Sequence, residues 1–377
     1  LNLELELSPI TGKIFAELPI VKKRNAIWIS SRTTLFDKAL RAARHNSPHS
    51  IMGFSDFQFK AYHEQNPRSR FSLNGYLDSD YFKDQYNVVD TIKDVSQLTW
   101  RNKFASFDHQ YDFNDKQQIR TTIGTSEYFY RIDHQEGISK NSIEERKQMT
   151  TTINRLYTKL EFSTKSKSGI QTDVGLNYEI FKINPSTFTY KDADTTINNS
   201  LSKDTFHQLA GYFNSLVNLS SKDKLNVGLR ASSSFNETKN YFSLEPRLTF
   251  SHDFDLDNRL SVSYSKMSQE IHQLTNPGLG LPLDYFQTFS ETYIPETSNQ
   301  FSIGFFRKQR IQNQNIKFSI EGYYKNLNDI LSFKPGFSPN YFLILSNRST
   351  KPESVLTSGS GRSYGIEVMA EKPFGKL

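Results

Sequence analysis

The stretch EPRLTFSHDFDLDNRLSVSYSKM, residues 245–267, contains two runs in which apolar and polar residues alternate, separated by a short turn. Leu248 and Phe250 take every second place in the first run, and Leu260 and Val262 do so in the second. Successive side chains of a β-strand point to opposite faces of its sheet, so this period of two predicts an antiparallel hairpin. Each strand would have one apolar face and one face of Ser, Thr and Arg side chains.

The same alternation recurs along most of the chain, in pairs of segments joined by short polar turns such as EQNPRS (64–69), STKSKSG (163–169) and SSKDK (220–224). This pattern predicts about 14 to 16 strands of roughly 10 to 14 residues each. The other ends of the strands are joined by longer polar segments, which are predicted to be loops. These segments are roughly 36–54, 80–96, 131–149, 182–204, 268–298 and 327–361.

Strands of this length, tilted by about 40°, span about 25–35 Å, which is the thickness of the apolar band of an outer-membrane barrel. Lipid offers no hydrogen-bond partners to a sheet edge, so a sheet crosses a bilayer only when it closes on itself. The predicted fold class is therefore all-β, an antiparallel transmembrane β-barrel. The alternative is a soluble β-sandwich adhesin, in which the row containing Leu248 and Val262 would pack against a second layer of protein.

The amino-acid composition excludes several classes of function. The 377 residues include 30 Phe and 19 Tyr but no cysteine, which excludes disulfide staples, thiolate metal sites and cysteine nucleophiles within the chain. The net charge is +6, but Lys and Arg are spread over turns, so we predict no nucleic-acid partner. His207, His252 and His272 lie at no spacing typical of a metal or catalytic site. We therefore predict no enzyme activity, no metal and no cofactor.

Several longer segments resemble consecutive barrel segments of TonB-dependent outer-membrane receptors of Gram-negative bacteria, in the subgroup with large surface loops. AELPIVKKRNAIWISSRTTLFD (16–37) is similar to the first barrel hairpin of that family. The others are the stretch from the opening hairpin to residue 286, IPETSNQFSIGFF (294–306), FSIEGYYKNLNDIL (318–331) and GRSYGIEVMAEKPFGK (361–376).

This resemblance implies an outer-membrane location and a 22-stranded barrel closed by an N-terminal plug domain. It also implies active uptake of a scarce, bulky ligand, energised through TonB, which grips a segment before the plug. Residues 1–377 would then be a partial barrel domain, and we expect the native protein to extend at both ends, with the plug before Leu1 and the last strands after Leu377.

The sequence leaves several functional alternatives open. The ligand class, whether siderophore, glycan or peptide, is unresolved. A passive porin-like channel, or a surface-binding barrel without energised transport, is the alternative function. The expected partners are TonB, through the plug segment, and the lipid and lipopolysaccharide of the outer membrane, with a surface lipoprotein as a further candidate.

The segment QEIHQLTNPGLGLPLDYFQTFSETYIPETS (269–298) is the candidate binding loop, because binding residues collect on ordered loops between rigid strands. Its aromatic rings and polar groups could stack on and hydrogen-bond to a sugar, peptide or chelate. The alternative is a loop that folds into the barrel for structural reasons. The predicted substrate-binding residues are Gln269, His272, Asp284, Tyr285 and Phe286.

Overall fold

A computed structural model of the chain describes ten ranges of residues, and nearly all of these residues lie in β-strands. They are residues 2–21, 24–36, 50–89, 92–138, 145–166, 168–200, 203–275, 284–311, 314–335 and 352–372. Among these residues, none of the helices is long and apolar enough to cross a membrane.

In these ranges the chain forms nineteen strands and one helical turn, α1 (Pro352–Val355). The first ten strands are β1 (Asn2–Leu7), β2 (Thr11–Val21), β3 (Asn25–Thr34), β4 (Ser50–Asn66), β5 (Ser69–Val89), β6 (Ile92–Asn114), β7 (Gln117–Ile138), β8 (Glu145–Lys165), β9 (Gln171–Asp192) and β10 (Thr196–Ser200). The others are β11 (Asp204–Asn218), β12 (Asp223–Phe235), β13 (Asn240–Asp253), β14 (Asn258–Gln269), β15 (Ile271–Thr275), β16 (Asp284–Thr288), β17 (Glu296–Ile311), β18 (Gln314–Phe333) and β19 (Leu356–Glu371).

Seventeen strands form one antiparallel sheet, in which strands consecutive along the chain pair with each other except at two points. β10 and β11 follow one another along the same edge of β9, so the seventeen strands fill sixteen positions. β14 pairs directly with β17, and β15 and β16 form a separate hairpin. The predicted all-β antiparallel fold is confirmed. The described residues form nineteen strands, more than the 14 to 16 predicted, although the main sheet has sixteen strand positions.

The two rims of the sheet differ as predicted. At the short-turn rim, strands are joined by tight turns whose polar side chains bond to the backbone, as Asp255 does by accepting the N–H groups of Asp257 and Asn258, both at 2.8 Å. Asn66 accepts the N–H of Arg68 at 2.9 Å in the turn between β4 and β5. The opposite rim, which we call the loop rim, carries the long connection between β14 and β17.

The predicted lengths of several strands and loops were wrong. β5 to β9 contain 21 to 23 residues each. The segment 80–96 is not a long loop, because β5 continues to Val89 and β6 begins at Ile92. The segment 131–149 is also mostly strand, in β7 and β8. Near the loop rim the outward positions of β6 to β8 are mostly polar, while Leu98, Tyr130 and Met149 point inward, so the apolar outer row that identifies the strands is absent there.

The two faces predicted from the opening stretch are confirmed. Leu248 and Val262 are 45% and 42% exposed, so no second layer of the described residues covers them, which contradicts the β-sandwich alternative. Phe250 lies opposite Val262, and Val262 lies opposite Ile303, so the apolar row continues from strand to strand. On the inner face, the hydroxyls of Ser251 and Ser261 are 3.2 Å apart. We call the continuous outer row the apolar belt.

Aromatic side chains mark both borders of the apolar belt. Phe71 stacks on His109 at 4.4 Å between ring centroids, and Phe107 is 6.0 Å from Phe71, on the side of the short-turn rim. On the side of the loop rim, His207 stacks on Phe235 at 5.3 Å. Aromatic girdles at both interfaces are typical of transmembrane barrels.

Candidate functional site

The inner face of the sheet is lined by charged groups that pair with each other across strands. Arg155 on β8 donates to Glu179 on β9, and Arg230 on β12 donates to Glu245 on β13 at 3.2 Å. Glu179 and Glu245 are both buried. Buried carboxylates remain charged at low cost only when cations and hydrogen-bond donors face them, so these pairs keep a polar wall inside the barrel.

A polar recess of about 750 Å³ lies on the inner face at the short-turn rim. Asp112, Asp173 and Asn226 contribute to its wall, and Arg70 forms an ion pair with Asp112. Nε of Arg70 and Oδ1 of Asn226 are buried and have no hydrogen-bond partner among the described residues. A buried polar group without a partner costs about 1–3 kcal/mol, so this recess suits a polar segment that supplies the missing partners.

At the other end of the barrel, the predicted binding loop folds back into the mouth. β15 and β16 form the hairpin, with Leu274 opposite Tyr285 and His272 opposite Gln287. We call this pair of strands the mouth hairpin. Its tip, residues 276–283, lies outside the described residues.

One side of the mouth hairpin belongs to an apolar cluster that joins distant parts of the wall. Leu274 and Tyr285 of the hairpin, together with Tyr293 of the segment that follows it, contribute to this cluster. The wall contributes Leu98, Tyr130, Ile132 and Met149 from β6 to β8, with Leu331 from β18 and Val355 and Leu356 near the start of β19. The hairpin therefore bridges strands that are far apart in the sheet.

The end of the mouth hairpin is fixed to the strands between β9 and β13. The ring of Phe289 lies 5.3 Å from Phe206 and 5.5 Å from Tyr241, edge to face in both cases. Tyr241 donates its hydroxyl hydrogen to the carbonyl of Ser290 at 2.9 Å. Thr288 donates a hydrogen bond to the carboxylate of Asp204. These contacts hold the hairpin across the lumen rather than out in solvent.

The structure places His272 inside this packing, where it is 1% exposed. Its Nε2 lies 3.1 Å from the carbonyl oxygen of Ile294 and therefore carries the hydrogen, while Nδ1 has no partner among the described residues. Burial lowers the pKa of His272, because the apolar surroundings disfavour the charged ring. At neutral pH the imidazole is therefore uncharged.

The other predicted residues occupy different environments. Tyr285 is 8% exposed and donates to Oε1 of Gln287 at 3.1 Å. The ring of Phe286 meets Tyr128 of β7 edge to face at 5.5 Å. Gln269 is exposed at the end of β14, and its amide donates to the carbonyl of Ile271 at 2.6 Å. The backbone of Asp284 begins β16, but its side chain lies outside the described residues.

The structure adds residues that sequence reasoning missed. Glu270, between β14 and β15, accepts a hydrogen bond from Ser234 of β12 at 3.0 Å. Burial raises the pKa of Glu270. Asp204 and Tyr241 also hold the hairpin, and they come from strands far from the loop in sequence. The alternation of apolar and polar residues in the sequence predicts that both side chains point into the barrel. It does not indicate which loop they contact.

The sequence profile of the family described as "TonB dependent receptor-like, beta-barrel" matches residues 44–375. No individually curated protein matches the sequence. Similar solved structures include the ferric yersiniabactin uptake receptor FyuA from Yersinia pestis, at TM-score 0.65 and 9% identity over 97% of this chain and 56% of that one. The ferric preacinetobactin receptor BauA from Acinetobacter baumannii has TM-score 0.63 and 12% identity over 97% of this chain and 57% of that one.

The ferripyoverdine receptor of Pseudomonas aeruginosa has TM-score 0.63 and 11% identity over 97% of this chain and 52% of that receptor. At these identities the likeness concerns the fold alone, and the chain spans little more than half the length of these receptors. The family match extends over most of the chain and agrees with the apolar belt, the aromatic girdles and the unequal rims. The chain belongs to the family of TonB-dependent receptor-like β-barrels, which reside in the bacterial outer membrane.

Proposed function

We propose that this chain is the barrel part of a TonB-dependent receptor that takes up a bulky ligand actively, rather than an enzyme or an open pore. The observation that carries this proposal is the mouth hairpin, which lies across the lumen and packs on β6 to β8 and on β18 and β19. A ligand that arrives at the mouth meets this hairpin, so its passage requires movement within the protein. Such movement suits a receptor that couples uptake to an energy source.

The polar recess at the short-turn rim supports a plug domain as part of the whole protein. Asn226 lines the recess, and Arg70 pairs with Asp112, which also lines it; both carry a buried atom without a partner among the described residues. A plug in the lumen would supply polar groups to them. In this proposal residues 1–377 form part of a 22-stranded barrel domain. TonB would contact a segment preceding the plug, and the lipids of the outer membrane would surround the belt. A surface lipoprotein stays a prediction.

For the ligand, we propose ferric siderophores as the first class to test, ahead of glycans and peptides. The solved structures named above are receptors for ferric yersiniabactin, ferric preacinetobactin and ferripyoverdine. The mouth hairpin offers groups that suit a chelate of this kind. Phe286 and Gln269 would contact the ligand first, because they lie at the edge of the packing, and His272, Asp284 and Tyr285 would contribute after the hairpin moves.

Uptake by cells that carry the full-length protein tests the proposal. We expect accumulation of radiolabelled ferric siderophore to require TonB and to stop when an uncoupler collapses the proton-motive force. Accumulation that continues without TonB would instead establish the passive channel. Binding to whole cells without accumulation in either strain would establish a surface-binding barrel. Glycans and peptides are tested in the same pair of strains, so the ligand class is decided separately from the energy source.

A further inference from the structure

The outer face of β6 to β9 changes character just beyond the apolar belt, on the side of the loop rim. Phe107, Ile123 and Leu156 are 44%, 48% and 50% exposed within the belt. Further along β6 to β8, every second residue continues to point outward, because Leu98, Tyr130 and Met149, of opposite parity, are buried inside. On β9 the register shifts by one residue opposite Thr150 and Thr152, so Lys182 and Lys191 both point outward. The outward positions there include a group of cations that we call the headgroup face. Its members are Arg101, Lys103, Arg131, Arg146, Lys182 and Lys191.

The strand registers place these cations in adjacent rows. Lys103 lies opposite Glu127, Glu127 lies opposite Asn154, and Asn154 lies opposite Lys182. This first row follows directly after the apolar row that contains Leu156, and each further row is about 6.6 Å farther along the strands. Short turns of such barrels face the periplasm and long loops face the exterior. The headgroup face therefore meets the headgroups of the outer leaflet.

Arg101 of the second row and Arg131 of the third row both lie close to the ring of Phe129. The guanidinium carbons of Arg101 and Arg131 are 3.8 Å and 4.9 Å from the ring centroid of Phe129. In the described part of the chain, neither guanidinium forms an ion pair with a carboxylate. Phe129 is 7% exposed, since the two side chains cover it. Two like charges held side by side without an acidic partner favour the binding of an anion between them.

The carboxylates on this face are already paired. Glu127 is 2.7 Å from Nζ of Lys103, and Asp133 accepts from Nε of Arg146 at 3.0 Å. Asp133 also accepts hydrogen bonds from Gln135 and Gln148. Among the described residues, Arg101, Arg131 and Lys182 form no ion pair with a carboxylate, so their charge is not neutralised by this part of the chain. An external anion would neutralise it.

The opposite wall does not repeat this arrangement. At the corresponding row beyond the belt, Lys266 lies opposite Asn299, Asn299 lies opposite Asn326, and Asn326 lies opposite Arg362. Its two cations are thus separated by two strands that carry amides. The density of positive charge on the headgroup face is therefore a feature of one side of the barrel and not of its whole circumference.

We propose that the headgroup face binds the phosphate groups of a glycolipid in the outer leaflet. Arginine presents paired N–H donors that match phosphate oxygens. Contact with the ring of Phe129 fixes the positions of the Arg101 and Arg131 guanidinium groups. Lys182 lies one row closer to the belt than Arg101 and extends the positive charge toward the acyl chains, whereas the charge of Lys103 in the same row is paired with Glu127. This inference rests on the outer-membrane location and is independent of the imported ligand.

The test uses the full-length protein purified in a neutral detergent, with lipid A carrying two phosphates and dephosphorylated lipid A as probes. Native mass spectrometry measures how much of each lipid remains bound. The test variant is Arg101→Gln/Arg131→Gln/Lys182→Gln, and the matched control, at the same height on the opposite wall, is Lys266→Gln/Arg362→Gln. Mobility of unheated samples in gel electrophoresis shows that each variant is folded.

We expect the wild type to retain phosphorylated lipid A about tenfold better than the dephosphorylated form, and the triple variant to lose that preference while the control keeps it. Equal retention of both lipids by the wild type, or an unchanged preference in the triple variant, would overturn the proposal. Complete displacement of lipid A by millimolar inorganic phosphate would also overturn it and assign the face to a free anion. The lipid comparison with the wild type needs no variant and no transport, so its outcome is separate from that of the uptake assay.

Discussion

The hydroxyl of Tyr212 on β11 donates a hydrogen bond of 2.6 Å to Glu161 on β8, reaching across the whole width of β9. Gly175 of β9 lies directly between them, opposite Glu161 on one side and Tyr212 on the other. The tyrosine ring lies flat over this glycine, where a Cβ atom would collide with it. Gly124 and Tyr157 repeat the arrangement on β7 and β8. Glycine weakens a strand interior in general, but here it makes room for a bond that joins three strands.

The variant Gly175→Ala is predicted to destabilise the barrel. The added methyl group displaces the ring of Tyr212 and breaks its bond to Glu161, which should lower the free energy of unfolding by about 1–3 kcal/mol. Urea unfolding in lipid vesicles measures the change. The control is Gly211→Ala on the outer face, where the new Cβ would meet its nearest neighbour, Leu176, at 3.6 Å. Equal stabilities of the two variants would contradict the role of the tyrosine bridge.

The apolar belt predicts a sharp difference between adjacent positions of one strand. Val262→Arg places a charge in hydrocarbon and should destabilise the inserted barrel by about 2–4 kcal/mol. Ser261→Arg places the same side chain in the lumen, where it loses one hydroxyl contact with Ser251 and should cost less than about 1 kcal/mol. Unfolding from vesicles compares the two variants. If Ser261→Arg were the more damaging, the assignment of the two faces would be reversed.

The contact between Thr288 and Asp204 allows the mouth hairpin to be locked, since the 377 residues contain no cysteine. We expect the double variant Asp204→Cys/Thr288→Cys to form a disulfide under oxidation and to lose ligand uptake, because the hairpin can no longer leave the lumen. Reduction should restore uptake. Thr288→Cys alone, treated in the same way, is the control. Full uptake by the oxidised double variant would show that the ligand passes without movement of this hairpin.

The sequence predicts the fold correctly where each strand has lipid on one face and the polar lumen on the other. Leu248 and Val262 face lipid while their neighbours face a polar lumen. Because of this contrast, apolar and polar residues alternate along the strand sequence. Beyond the belt, Arg131 and Asp133 point outward into a polar medium and Tyr130 and Ile132 point into the apolar cluster at the mouth. The outer row is no longer apolar there, and these strands were mistaken for loops.

The position of the mouth hairpin could not be predicted for a different reason. Its place depends on contacts between residues distant in sequence, such as Thr288 with Asp204 and Tyr285 with the cluster on β6 to β8. Local pattern indicates that a loop contains aromatic and polar residues, but not which wall it will contact. The roles of the five predicted residues in ligand binding therefore stay predictions, although the location of the loop at the mouth is established.

The closure of the mouth hairpin is predicted to weaken as the pH falls. His272 is neutral in the closed state because burial lowers its pKa, with Asp329 acting in the opposite direction. Once the hairpin opens, the ring returns to its ordinary pKa of about 6.5. Above that pH the histidine is neutral in both states and closure does not change. Below it the open state binds the proton more readily, so closure should weaken by up to about 1.4 kcal/mol per pH unit until the lowered pKa is reached.

Hydrogen exchange of the peptide covering 284–289, corrected for intrinsic rates between pH 7.5 and 5, measures this opening. Glu270 works in the opposite sense, because its raised pKa lets the closed state take up a proton first as the pH falls. The variant His272→Gln removes only the histidine and leaves Glu270 in place. Its hairpin should therefore exchange no faster at pH 5 than at pH 7.5. If His272→Gln and the wild type opened equally at low pH, another group would control closure, since the glutamate alone would favour the closed hairpin.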